Sequence, residues 1–483
     1  MLKRYFLSNI LFVLFANLLI KPIWMFGVDR NVQLLLGHDV YGSYTAVLGL
    51  CVVFAIMLDM GVTNYNNLMV AGDKHRIHES LPNMLLVKII LSILYVIVLS
   101  ILAWVLQYSW DLIKLLWLVC CAQILASLVV YLRSNISANH DFKTDALLSI
   151  VDKVIMIITC ALWLLGYFNR ATFTIHLFVG LQVVAYVLTM FLCFLFIRKN
   201  YARISWKHLS VEHTLSLFRK SFPYAALIFF MGIYMRGDAV LLERLAGSKE
   251  TGLFANAFRI LDVSNTLGVL TAGVLLPMFS RLIAQQDKIN QLVQVSTRLL
   301  IPASMAISIF CAIHAQSIMM LIYKDASPYT ATIFAAMMVS FPAYSIQYVY
   351  STLLTAKQSL PLLIRLALVG CVLSLILNLL FIFWWKAEGA AITSVIVQWL
   401  LAAASVYYAA KHFKLEQRIT QFLKYLSYAV LLCVMNWFLN KQGFNLWNLS
   451  IVNLIMVPIL YIGSGFMRFA YLRSYLRKNF ELP

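Results

Sequence analysis

Apolar residues fall into about fourteen runs, each long enough for one helical crossing of a bilayer, and the connections between them are short. A hydrocarbon core about 30 Å thick needs ~20 apolar residues of helix. The pattern predicts spans over 5–27, 43–70, 82–107, 113–137, 145–167, 172–198, 220–244, 252–283, 295–322, 328–355, 360–384, 388–411, 421–440 and 446–470. This describes an all-α polytopic membrane protein with almost no soluble material.

Composition sharpens that picture. Hydrophobic residues make up 62% of the 483, and charged residues only 12%; a soluble protein is expected to be ~45–50% apolar. The net charge is +19, from 38 Lys+Arg against 19 Asp+Glu. Alternate connections differ about threefold in basic residues. The rich set includes Lys3/Arg4, Lys74/Arg76 and the stretch from Arg198 to Lys220. By the positive-inside rule both termini are cytoplasmic, as in a multi-pass protein of a bacterial inner membrane. The charge therefore reports topology and anionic headgroups, not nucleic acid. The N-terminal run is too long for a signal peptide core and reads as an uncleaved first helix. The eight cysteines lack CxxC spacing and read as small buried hydrophobes. No P-loop and no acidic metal motif occur, so neither a cofactor nor a metal is expected.

The chain also echoes itself. Leu36-Gly37-His38-Asp39-Val40-Tyr41-Gly42-Ser43-Tyr44 recurs as Ala246-Gly247-Ser248-Lys249-Glu250-Thr251-Gly252-Leu253-Phe254, at a constant offset of 210. Lys88 falls opposite Arg298 at the same offset. Parallel repeats of this kind are a transporter architecture. The expected organisation is an N-terminal lobe of six helices (1–205), a second lobe of six (206–416) opening with an amphipathic linker helix (206–220), and two further helices with a basic tail (417–483). The substrate site would lie between the two lobes. Gly37, Gly42, Gly247 and Gly252 read as turn residues, where glycine reaches positive φ at no steric cost.

Charges inside the spans carry the candidate chemistry. Intramembrane ionisable residues usually face a wet cavity and mark a polar substrate's path. Arg259 and Asp262 lie one turn apart in helix eight, as an ion pair or as an anion site tuned by a carboxylate. Arg236 and Asp238 in helix seven, and Asp29 and Arg30 at the corresponding end of helix one, are interfacial caps or substrate contacts. Lys21 precedes Pro22, which should bend helix one along a cavity. Asp59 is a proton or Na⁺ site, or a hydrogen-bond partner of a neighbouring helix. Asp152 and Lys153 are adjacent, hence about 100° apart around helix five, and are expected to face different surroundings.

Several motifs in order, Leu36-Gly-x4-Gly-Ser-Tyr44, Leu58-Asp-x-Gly61, Lys220-Ser-x-Pro223-Tyr, Arg236-x-Asp238, Gly252-Leu-Phe-x-x-Ala257 and Leu275-Leu-Pro277-x-x-Ser280, resemble the polysaccharide transport branch of the multidrug/oligosaccharidyl-lipid/polysaccharide exporter superfamily. The resemblance covers most of the chain and implies a fourteen-helix fold whose two lobes form a V-shaped cavity. It implies a non-enzymatic flippase for polyprenyl-pyrophosphate-linked oligosaccharide, as in O-antigen (lipopolysaccharide) or capsule assembly. Its implied partners are that lipid, the surrounding membrane lipids, and candidate polymerase and chain-length proteins of the same pathway. Asn256-Ala257-Phe258-Arg259 resembles the helix-eight stretch that carries a substrate-binding arginine in lipid II flippases. The Arg-Asp pair of that family stands here in reverse order, as Asp29-Arg30. The competing readings are a multidrug/cation antiporter of the same superfamily, an integral-membrane glycosyltransferase or polymerase, and a non-transporting scaffold. Prominent embedded Arg and Lys favour an anionic substrate over a cationic drug.

Overall fold

A computed structural model describes residues 20, 23–60, 63, 77–138, 141–200, 211–285, 289–323, 326–357, 359–415, 419–442 and 444–465. Among these the chain is helical throughout, in fourteen membrane-helix segments and without strands. In chain order, α1 is a π-helical turn (Ile23–Asp29) running into Arg30–Leu36, and α2 is His38–Phe54 with a 3-10 extension Ala55–Leu58. Then follow α3 (Ile77–Val105), α4 (Trp110–Ala138), α5 (Phe142–Leu164), α6 (Ile175–Asn200), α7 (Val211–Ala246) and α8 (Ser248–Ala284). Next are α9 (Ile289–Ile313 with Ala315–Ile322) and α10 (Pro328–Val339 with Phe341–Ala356). Residues 360–413 hold α11 and α12, separated at Lys386, whose φ of 48° and ψ of −125° interrupt the helix. The chain closes with α13 (Ile419–Lys441) and α14 (Leu446–Gly463). Eleven helices in the described residues are long and apolar enough to cross a membrane.

Local chemistry sets the boundaries. Ser327 caps α10 in a capping box with Thr330, and Pro328 occupies the first turn, where its missing N–H costs nothing. Asp141 caps α5 by accepting from the Thr144 N–H at 3.2 Å. Single glycines at positive φ, Gly37 (83°) and Gly247 (92°), separate α1 from α2 and α7 from α8.

The outward faces are greasy, as lipid contact requires. Along α3, Ile89, Ile93, Ile97 and Ile101 form an exposed stripe at helical spacing. Exposed tryptophans (Trp104, Trp110, Trp384, Trp437 and Trp447) sit where odd-numbered helices finish or even-numbered ones begin, the pattern of an interfacial aromatic belt. Cys121 and Cys433 are exposed, which corrects the expectation that every cysteine is buried; all eight thiols are free.

The helices form two compact units that do not follow chain order. One comprises Met1–Ala255 with Ala367–Lys386, the other Asn256–Leu366 with Ala387–Pro483. The first has a core in which Val28, Tyr41, Tyr44, Cys51, Tyr95 and Phe178 interlock. Helix α7 belongs to it, packed along α2 through Gly49 and Gly232, where a Cβ would meet Arg236 O at 3.1 Å and Val53 backbone at 3.4 Å. The linker helix expected over 206–220 falls partly on 201–210, outside the described residues; from Val211 onward the chain is already α7. In the second unit a buried polar knot joins three helices. His314 Nε2 lies 3.3 Å from Asn436 Oδ1, which also accepts from Asn453 Nδ2 at 2.9 Å.

Candidate functional site

The two echoed turns meet each other. A Cβ on Gly42 would fall 1.8 Å from Ser248 O, and one on Gly252 would fall 2.3 Å from His38 O. His38 and Ser248, like Gly42 and Gly252, stand 210 apart, so each turn offers its carbonyl to the other's glycine. Ser43 Oγ donates to Ser248 Oγ at 2.8 Å, and the fully buried Gln33 Nε2 donates to Gly252 O at 3.0 Å. This corrects the role expected of two glycines. Gly42 and Gly252 lie within the first turns of α2 and α8, and they serve close backbone approach rather than positive φ.

Nearby, Tyr41 Oη donates to Asp29 Oδ1 at 2.6 Å, and Arg30 Nη1 donates to Asn31 Oδ1 at 3.4 Å. Both charges are half-buried within a helix that continues to Leu36, not at its end as expected. Their stretch of α1 begins as a π-helix, a geometry frequent at functional sites. Lys21 and Pro22 lie outside the described residues.

Asp59 sits past the end of regular α2, before Met60 at a φ of 43°. The expected uninterrupted second helix therefore breaks here, and the break frees Leu58 O. Lys88 of α3, 1% exposed, supplies what is missing. Its ammonium donates to Asp59 Oδ1 at 2.8 Å, Leu58 O at 3.1 Å and Ser127 Oγ at 2.9 Å. All three N–H groups have acceptors, which a buried ammonium demands. Thr63 adds a hydrogen bond to the same carboxylate. Lys88 was not among the candidates, although a lone lysine inside an apolar run was the available signal.

Asp238 of α7 is 4% exposed and accepts from Asn378 Nδ2 at 2.7 Å and Ser374 Oγ at 3.4 Å, both on α11 and both buried. Asn378 Oδ1 is buried without a hydrogen-bond partner. This oxygen-rich cluster can hold a small cation or a proton. Its members are 136 and 140 residues from Asp238 in sequence, too far for any local pattern to join them. Arg236 is half-buried on the same helix.

Asp152 and Lys153 share one pocket, contrary to expectation. The Lys153 ammonium donates to Asp152 Oδ2 at 3.2 Å, and both side chains line a cavity of about 110 Å³ with Trp24, Gln182 and Tyr186. Their Cβ atoms do diverge, but four methylenes let the lysine curl back.

In the second unit Arg259 of α8 is 4% exposed and donates through Nη1 to the hydroxyl of Tyr323, itself 1% exposed. Asp262 follows one turn along, half-buried. Tyr323 comes from the end of α9, 64 residues away, and the sequence reading missed it. No group of His, Cys, Asp and Glu suited to a metal ion occurs among the described residues.

A many-helix bundle with a lipid-compatible exterior and ionised side chains held inside its spans is the class this fold and site define: a multi-pass membrane protein. Within that class the chain belongs to the family described as polysaccharide biosynthesis protein, whose model matches residues 6–283. No curated protein matches it in sequence. Among solved structures it is similar to the lipid II flippase MurJ in an inward closed conformation, with a TM-score of 0.68 and 16% identity over 98% of this chain and 99% of that one. It is also similar to a mutant of the Vibrio cholerae MATE transporter VcmN (TM-score 0.58, 13% identity, 85% and 96% covered). A third likeness is to a MOP superfamily transporter from Pyrococcus furiosus (TM-score 0.56, 13% identity, 84% and 95% covered). The fold is thus the MurJ/MATE fold.

Proposed function

We propose that the protein is a flippase for a polyprenyl-pyrophosphate-linked oligosaccharide, carried from the cytoplasmic to the periplasmic leaflet of a bacterial inner membrane by alternating access. The product would feed O-antigen, capsule or a related surface polysaccharide. One observation carries the reading: a chain of a polysaccharide biosynthesis family, built as a membrane-spanning bundle, keeps cations within its spans. A pyrophosphate bearing sugars would cost many kcal/mol to move bare through hydrocarbon. Fixed cations in a wet path lower that cost, while the prenyl chain stays in lipid.

Arg259 is the lead pyrophosphate ligand, since a guanidinium fork matches phosphate and Tyr323 holds one of its arms. Lys21, Arg30 and Arg236 are assigned supporting roles, whereas Lys153 is already neutralised by Asp152 at 3.2 Å. Asp29, Asp59, Asp238 and Asp262 are assigned to ion coupling or release, with the buried Asp238–Asn378 cluster the best furnished for it.

The test is reconstitution in liposomes with a fluorescent lipid-linked oligosaccharide, reading headgroup protection from an impermeant quencher. Arg259→Ala should slow translocation at least about tenfold, the loss of about 1.4 kcal/mol of binding, with Arg259→Lys intermediate. An unaltered rate in Arg259→Ala removes that residue from the path. The fold is also similar to that of a multidrug resistance MATE family transporter. Drug efflux without lipid translocation, in the same vesicles, would make the antiporter the better reading.

A further inference from the structure

The pocket formed by α1, α5 and α6 has a chemistry that pyrophosphate binding leaves unused. It contains an acceptor carboxylate (Asp152), an ammonium (Lys153), an amide with both donors and an acceptor (Gln182), and a phenol (Tyr186). The carboxylate and ammonium neutralise each other at 3.2 Å, so a charged ligand gains little from the pair. The Lys153 ammonium also donates to Ser149 O at 3.5 Å, which ties it to its own helix. Gln182 is oriented by a hydrogen bond with the buried Tyr44 hydroxyl. Apolar surface completes the wall. The Trp24 indole is backed by the parallel ring of Phe178, with centroids 6.1 Å apart and planes 9° apart, and Met156, one turn along α5 from Asp152 and Lys153, adds its apolar side chain to the same lining.

Alternating hydroxyl and C–H surface is what a sugar ring presents. Vicinal hydroxyls pair with a carboxylate and an amide at once, and the ring's C–H face packs on an aromatic side chain. We propose that this pocket is a sugar subsite: it seats one neutral pyranose of the transported oligosaccharide, with Gln182 and Asp152 reading its hydroxyls and Trp24 its apolar face. The volume of about 110 Å³ is enough to seat that pyranose by one edge, not to enclose a chain of sugars. The inference rests on the flippase reading for its natural ligand, but the pocket itself can be examined without that lipid.

Two measurements on the purified full-length protein decide it. First, saturation-transfer NMR with millimolar methyl glycosides of glucose, galactose and N-acetylglucosamine should give signal for at least one sugar, and the signal should fall at least fivefold in Gln182→Ala and in Trp24→Leu. Second, the ratio of Kd values for bare over glycosylated prenyl pyrophosphate should exceed ten in the wild type and fall towards one in the variants. Tyr186→Phe, which keeps the ring and loses one hydroxyl, should give an intermediate ratio and guards against a folding artefact. Sugar signal with no binding of either lipid would uphold the subsite and overturn the flippase reading. Absence of sugar signal, or equal loss of both lipids in the variants, would overturn the subsite.

Discussion

Lys88 illustrates how much one side chain can stabilise. Its ammonium, within a membrane helix, is tolerable because three acceptors surround it, two of them supplied by the broken end of α2. Removing it would leave the Asp59 carboxylate to Thr63 and Leu58 O to a 3.4 Å hydrogen bond from Ser127 Oγ. Lys88→Ala is expected to destabilise the fold by about 3 kcal/mol, the scale for breaking a buried pair, read as a lower thermal midpoint in detergent. Lys88→Ala combined with Asp59→Asn should recover part of the loss; no recovery would mean that Leu58 O, not the carboxylate, is the partner that matters. The sequence exposed the ionised residues, because charges inside apolar runs are conspicuous. It did not expose their partners. Tyr323, Asn378 and Gln182 are ordinary until a neighbouring helix brings them within reach. The adjacent Asp152 and Lys153 misled because backbone direction was allowed to speak for a long side chain.

At the level of elements, helix number and order were legible, since each run of apolar residues is a crossing and each break has a local cause. Boundaries were less so. α1 extends to Leu36, and α8 begins at Ser248, because a single glycine suffices for each reversal. The two kinds of glycine in those turns make separable predictions. Gly37 has a φ of 83° and a ψ of 166°, a conformation nearly confined to glycine, with open space around its missing Cβ, so Gly37→Ala should cost about 1–2 kcal/mol of backbone strain. Gly42 would drive a methyl into Ser248 O, so Gly42→Ala should cost about 2–3 kcal/mol by overpacking. Thermal melts of the two variants should fall in that order; the reverse order would mean that the turns tolerate separation.

Taken whole, the molecule is a lipid-solvated body whose packing units cut across its chain halves. Periodicity reports which face of a helix is apolar but not which neighbour covers it, so these units were not legible in the sequence, nor was the contact between the two echoed turns. The proposed transport also has a whole-molecule signature. An inside-negative potential drives anions outward, and one charge crossing 100 mV gains about 2.3 kcal/mol. Vesicles clamped by a potassium gradient and valinomycin, inside negative, should therefore accumulate the lipid headgroup on the outer face, and reversing the gradient should reverse the bias. Indifference to the clamp would point to compensating ion movement, with the Asp238–Asn378 cluster the first place to mutate.

The mutual seating of the two echoed turns is reciprocal. A surface that presents a glycine and a carbonyl to its own copy is the isologous joint of a twofold homodimer, here written into one polypeptide. Both copies hold glycine where a carbonyl of the other approaches, while the exposed Asp39 is matched by the exposed Lys249, a reversal of sign. A side chain added at either glycine therefore meets the backbone of the other turn, while the rim around them carries opposite charges.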